Sequence, residues 1–225
     1  MVDMSREETI FGDDWPYSKA KSSLLRSAAI VIREHGPRSA TLKNIAGKAG
    51  VTEPAIFRHF DGVDGVFQSL FTVVELFYGR FVQLFSADDS KGLWRLEAGA
   101  EKMLATLKAN PDFAYVLAKP DPIFRQYPKL HIKLLELQAT LDTAVVECVK
   151  EAKSGSQLVP AADVDALSKC AIGLLAQAQN AWIENIDKYD VLKEGKKALG
   201  VLCALARKPG LEAPVAKVKA AKKRS

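Results

Sequence analysis

With 225 residues, 48% of them hydrophobic, and a formal net charge of +5, the chain is long enough to bury a sizeable core in one large or two small domains. No run approaches the roughly 20 apolar residues of a membrane span, and the acidic start lacks the basic-then-apolar order of a secretory leader. The expectation is a cytoplasmic protein that makes no membrane contact. Cys148, Cys170 and Cys203 lie far apart among apolar helical neighbours, which suits neither a metal site nor a disulfide framework, and they are read as reduced core residues.

Residues 1–16 carry a net −4, lack apolar periodicity and end at Trp15-Pro16, the pattern of a flexible acidic arm. Leu24, Leu25, Ala28, Val31 and Ile32 then mark the inner face of a first helix, stopped by His35-Gly36-Pro37. Lys19, Lys21 and Arg26 lie on its early turns, as solvated surface or as phosphate contacts. Residues 41–60, TLKNIAGKAGVTEPAIFRHF, read as two short helices joined by a sharp turn. Thr41 is placed to cap the first and Thr52 the second, with Pro54 in the first turn, where a missing N–H costs little. Ala46, Gly50 and Ile56 supply a small residue at the crossing, a left-handed turn and an apolar lock, the spacing of a helix-turn-helix. An ordinary helical hairpin has the same spacing, but residues 17–60 sum to +6, which suits a phosphate backbone.

After Asp61-Gly62, Phe67, Leu70, Phe71, Val74, Phe77, Tyr78, Phe81 and Phe85 keep a helical rhythm for about 20 residues, or roughly 30 Å. Leu93, Leu96, Ala100, Met103, Leu104 and Leu107 continue it as far as Asn110-Pro111. A brief restart follows from Phe113 to Leu117, and prolines at 120, 122 and 128 punctuate the next turn. The longest segment carries Leu130, Leu134, Leu137, Leu141, Ala144, Val145 and Cys148, and two further helices end near Arg207. No β-type alternation occurs. The chain is therefore expected to be all-α, with about nine helices: an N-terminal helix-turn-helix module of three, then a C-terminal helical ligand-binding and dimerisation bundle. The expected divisions are 1–16, 17–62, 63–207 and a basic, disordered tail at 208–225 that could touch a polyanion.

The first helix, the turn motif, the Phe57-Arg58-His59-Phe60 run and the abutting long helix together resemble the TetR/AcrR family of transcriptional repressors, specifically over residues 17–71. The resemblance implies a bacterial homodimer that binds a palindromic double-stranded DNA operator and releases it when a small molecule occupies the C-terminal half. It puts Glu53, Pro54 and Ala55 at the start of the recognition helix, with Lys43 reaching in from the preceding one. Lysine donates to guanine, a carboxylate accepts from cytosine N4, and an alanine methyl fits thymine. Glu53 equally complements the helix dipole. Thr41, Thr52, Arg58 and His59 are the phosphate candidates. Phe57 stands where the family usually has tyrosine, and Val63 where it usually has lysine, which lightens the phosphate grip.

An unidentified small-molecule effector is expected between the fourth, fifth, seventh and eighth helices. The large or polar residues on inward faces there are Trp94, Met103, Phe113, Phe124, Tyr127, His131, Gln138, Gln177 and Trp182. Each also reads as an ordinary core residue; His131 and Gln138, seven apart, share a face. Dimerisation is assigned to the last two helices, through Gly173 to Ala178 and Leu199 to Leu205. The sequence contains no P-loop, dinucleotide fingerprint or catalytic motif, so no enzyme, cofactor or metal is expected. The competing reading is a ligand-independent architectural DNA-binding or helical scaffold protein.

Overall fold

The computed structural model describes residues 15–87 and 90–211. The acidic arm before Trp15 and the basic tail beyond Leu211 lie outside the described residues. Among those described there are ten α-helices and no strand. They are α1 (Lys19–His35), α2 (Leu42–Ala49), α3 (Glu53–Ile56), α4 (Gly62–Ser86), α5 (Leu93–Ala109), α6 (Ala114–Ala118), α7 (Asp121–Phe124), α8 (Pro128–Ser154), α9 (Val164–Glu184) and α10 (Val191–Ala206). The all-α expectation holds, with one helix more than expected. Pro120 and Pro122 do not merely punctuate a turn: both stand at the start of α7, where proline is tolerated, and the helix drives Ile123 and Phe124 into the core.

Local chemistry sets the helix ends. Ser18 caps α1 by accepting from the Lys21 N–H at 3.3 Å, and Asp163 and Asp190 cap α9 and α10 in the same way. Helix α5 opens at Gly92 and has no capping side chain of its own. Its first N–H groups are met from outside: Gly92 donates to Glu151 Oε2 at 2.8 Å and Leu93 to Gln157 Oε1 at 2.9 Å. Gln157 is buried, and its Nε2 donates in turn to the Lys91 carbonyl at 3.3 Å. The end of α8 and the loop after it thus serve as the N-cap of α5.

Helices α1, α2 and α3 form the N-terminal module. Helix α4 continues from it into a bundle where it packs along α8, α5 packs on α10, and α9 lies between α8 and α10. The approach of α10 to α5 depends on Gly195, since a Cβ there would meet Leu104 Cδ1 at 2.6 Å. Phe71, Phe81, Phe85, Phe113 and Phe124 are the largest fully buried side chains. Cys148 and Cys203 are buried as expected, and burial pushes their thiols up to about 11 and about 12 respectively. Cys170 is not a core residue: it lies on the outer face of α9 and is exposed.

Removing the borrowed cap gives a test. Gln157→Ala leaves the Leu93 N–H buried without an acceptor and should cost about 1–3 kcal/mol. Equilibrium urea unfolding reads this as a lower midpoint with an unchanged slope.

Candidate nucleic-acid interface and effector cavity

The turn between α2 and α3 closes by backbone hydrogen bonds. Gly50 takes φ 68° and ψ 31°, the Val51 N–H donates to the Ala46 carbonyl at 3.0 Å, and Gly50 donates to Gly47 at 3.3 Å, a Schellman closure. Thr41 caps α2, accepting from the Asn44 N–H at 3.2 Å. Thr52 occupies the corresponding position before α3, but its hydroxyl makes no capping bond and stays exposed. Helix α3 is short, four residues followed by turns through His59. Ile45, Ala46, Ile56 and Phe60 are buried against the α1 face, so the opposite face is fixed by default.

That outward face brings Thr41, Lys43, Thr52, Glu53, Pro54, Phe57 and Arg58 into the open, with Ala55 and His59 half-buried beside them. Phe57 is 60% exposed. Four other cations of the module, Lys21, Arg26, Arg33 and Lys48, are engaged within the protein. Lys48 donates to both oxygens of Glu34 at 3.0 and 2.8 Å, and Lys48 holds that carboxyl below its usual range. Arg26 pairs with Asp112 at 3.3 Å, and Arg33 donates to the Pro111 carbonyl at 2.9 Å. The Lys21 ammonium lies 4.6 Å from the Tyr17 ring centroid and 4.9 Å from that of Phe60. Lys19 is exposed.

Residues 24–70 match the family model described as bacterial regulatory proteins, tetR family. The helix-turn-helix module is thus similar to that of the tetR family, over about a fifth of the chain. The match covers the helix-turn-helix and ends two turns into α4. A TetR-family fold extends over most of the chain. The FadR transcriptional regulator of Bacillus subtilis, solved in complex with stearoyl-CoA, superposes with a TM-score of 0.61 at 19% identity over 82% of this chain and 98% of that one. The ketosteroid regulator KstR2 of Mycobacterium tuberculosis gives 0.65 at 13% identity over 85% and 97%. In sequence, the nucleoid occlusion factor SlmA of Shewanella baltica strain OS155 is 22% identical over 136 residues, 60% of this chain and 68% of its own.

The TetR-family module is tied to the bundle at the start of α4, which follows α3 after a few turn residues. The Tyr127 hydroxyl donates to Asp64 Oδ1 at 3.0 Å, and its ring packs on Phe67 with centroids 5.1 Å apart. Burial, reinforced by Asp64, pushes the Tyr127 hydroxyl up to about 12. One turn further on, Phe71 meets Phe124 edge-on at 5.0 Å. His131 Nε2 lies 2.6 Å from Asp121 Oδ1, and Arg125 pairs with the same carboxyl, so the two bases hold Asp121 below the usual carboxylate range.

A cavity of about 270 Å³ lies between α4, α5, α6, α8 and α9. Met103 and Gln138 line it. The other residues singled out from sequence stand elsewhere: Phe113 and Phe124 are buried in the core, Tyr127 and His131 serve the contacts just described, and Gln177 faces solvent. Trp94 lies under the Arg207 guanidinium, 5.4 Å from ring centroid to carbon, and Trp182 borders a separate groove with Lys108 and Tyr189. Three polar residues missed from sequence line the cavity instead: Asp142, Gln179 and Asn180. Asp142 was within reach of the periodicity, being one turn beyond Gln138. The hydroxyl of Tyr78, another lining residue, pairs with Gln138; burial raises its pKa, which Gln138 offsets and Asp142 reinforces. Burial also raises the Asp142 carboxyl. Among the described residues no group of His, Cys, Asp and Glu could hold a metal ion, and no helix is long and apolar enough to cross a membrane.

Gly50→Val places a β-branched side chain at a left-handed backbone position and should cost about 1–2 kcal/mol or more. The checks are a lowered unfolding midpoint and loss of DNA binding at temperatures where α4 and the bundle keep their helical circular dichroism.

Proposed function

We propose that the protein is a cytoplasmic transcriptional repressor that binds a palindromic operator as a homodimer and lets go when a small molecule enters the cavity beside α4. The observation that carries this reading is the placement of α4. It borders the cavity through Tyr78 and Phe85, and it follows the recognition helix directly, pinned there by Asp64 and Tyr127. A ligand that moves the middle of α4 therefore moves the helix-turn-helix, and a ligand shifts an equilibrium only through such differential contact.

On DNA, Lys43 and Glu53 are the base readers, with Pro54, Ala55 and Phe57 as apolar contacts. Thr41, Thr52, Arg58 and His59 grip phosphate, and the uncapped Thr52 hydroxyl suits that role. The dimer forms through α9 and α10. Val201 and Leu205, 55% and 76% exposed, share an outward face of α10 with Ala198 and Leu202. A Cβ on Gly173 or Gly200 would meet nothing within 4 Å, which leaves both helices smooth where a second copy would pack.

A second reading, DNA binding without an effector, draws on the resemblance to nucleoid occlusion factors. The polar-lined cavity beside α4 favours the first.

Selection of bound DNA from a random pool tests the operator: a palindrome supports dimeric reading, and an absence of enrichment overturns it. Lys43→Ala should relax preference at one base pair by about 1–3 kcal/mol, whereas Arg58→Ala should weaken all sequences alike and flatten the salt dependence by about one unit. Leu205→Glu buries a charge at the two-fold axis and should leave a folded monomer, read by sedimentation, whose operator affinity falls at least tenfold.

A further inference from the structure

The charge of the cavity lining is one-sided. Of the described residues that border it, Asp142 alone is charged; no described lysine, arginine or histidine is among them. Gln138, Gln179, Asn180 and Tyr78 complete the polar set, all neutral in their ordinary forms.

Asp142 is uncommitted, unlike several carboxylates of the bundle. Glu97, Asp121, Glu147, Glu151 and Asp190 are each paired with a lysine, arginine or histidine. Asp142 forms no ion pair with a described residue, and none of its neighbours three or four positions away on α8, Gln138, Ala139, Val145 and Val146, is basic. Its carboxylate sits at the cavity rim with an accessible face, beside the phenol ring of Tyr78 and above an apolar floor that includes Phe85 and Met103.

We propose that this cavity selects a small lipophilic cation, an amine or quaternary ammonium on a compact apolar body, with Asp142 as its counter-charge. The proposal rests on reading the cavity as the effector site and adds the chemical class of what enters it. An anion would meet no cation in this lining and would face Asp142 directly; the polyanionic stearoyl-CoA held by the Bacillus subtilis FadR structure has no counter-charge here. A neutral apolar ligand would gain nothing from the carboxylate and would strip part of its hydration. A cation resolves both problems and gains the face of the Tyr78 ring. About 270 Å³ is at the small end for ligand cavities, which limits the apolar body to a short chain or a single ring system.

Titration calorimetry on the full chain with octyltrimethylammonium, octanol and octanoate, at matched ionic strength, tests this. The cation is expected to bind about five- to tenfold more tightly than octanol, an exposed ion pair and a cation–π contact together, and octanoate more weakly than either. Asp142→Asn, isosteric and at the rim, should bring the cation to within about twofold of octanol. Ala118→Trp, which fills the cavity from a half-buried position on α6 and away from the dimer helices, should abolish all three. A cation preference that survives Asp142→Asn, octanoate binding as tightly as the cation, or no binding by any probe each overturns the proposal. Operator release separates this from the effector reading. If octanol and the cation bind equally, both are blocked by Ala118→Trp and both release DNA, the selectivity fails while the effector site stands.

Discussion

The structure depends on one buried stripe of rings. Phe67, Phe71, Phe77, Tyr78, Phe81 and Phe85 are buried along α4, and they belong to a single continuous core that includes Ile45, Ile56 and Phe60 of the helix-turn-helix as well as Leu134 and Val145 of α8. Cores packed to crystal-like density do not deform smoothly; they shift as bodies or break contacts. From Asp64 to Tyr78 is about 21 Å along the helix axis. Over that distance α4 has edge-on or tilted ring contacts with Phe124 and Tyr127, each a defined seat that a displaced helix would have to leave. Mechanical linkage between cavity and turn is therefore built into the packing itself.

Charge in the N-terminal module divides in two. The cations that hold the module to the bundle or to itself, Arg26, Arg33 and Lys48, are committed to acceptors on Asp112, Pro111 and Glu34. Lys19, Arg38, Lys43 and Arg58 are exposed, the last two on the outward face. The net +6 of residues 17–60 thus overstates the charge available to a phosphate backbone. With so few outward cations, each phosphate contact carries a larger share of the affinity.

The helix-turn-helix was legible in the sequence because everything that makes it is local. A cap at Thr41, a small residue at Ala46, a left-handed glycine at Gly50 and an apolar lock at Ile56 act within sixteen residues, and backbone sterics leave them few alternatives. The long helices were legible from their apolar period. The cavity was not, because its polar lining depends on how helices are rotated against each other. Gln177 and Gln179 are two residues apart on one helix, yet one faces solvent and the other the cavity. His131 and Gln138 share a face of α8 but lie about 10 Å apart along it, so one meets α7 and the other meets α4. Tyr78 reads as core by period and is core by burial, while its hydroxyl still finds the cavity. The borrowed cap on α5 was invisible for the same reason: Gln157 is 64 residues from the N–H it accepts.

The continuity of α4 with the recognition helix also bears on how such proteins can be recombined. Asp61 and Gly62 look like a seam, since a turn falls there and a long helix begins. A chimaera cut at that point would separate Phe60 from Phe67 and Leu70 and set a foreign helix against α1 and the Tyr17 hydroxyl, which donates to the Ser69 carbonyl at 3.4 Å. The portable unit is longer than the module's own helices. It runs through Phe71, so a transplanted reading head must take the first two and a half turns of its neighbour with it, and the receiving bundle must offer a seat for that ring.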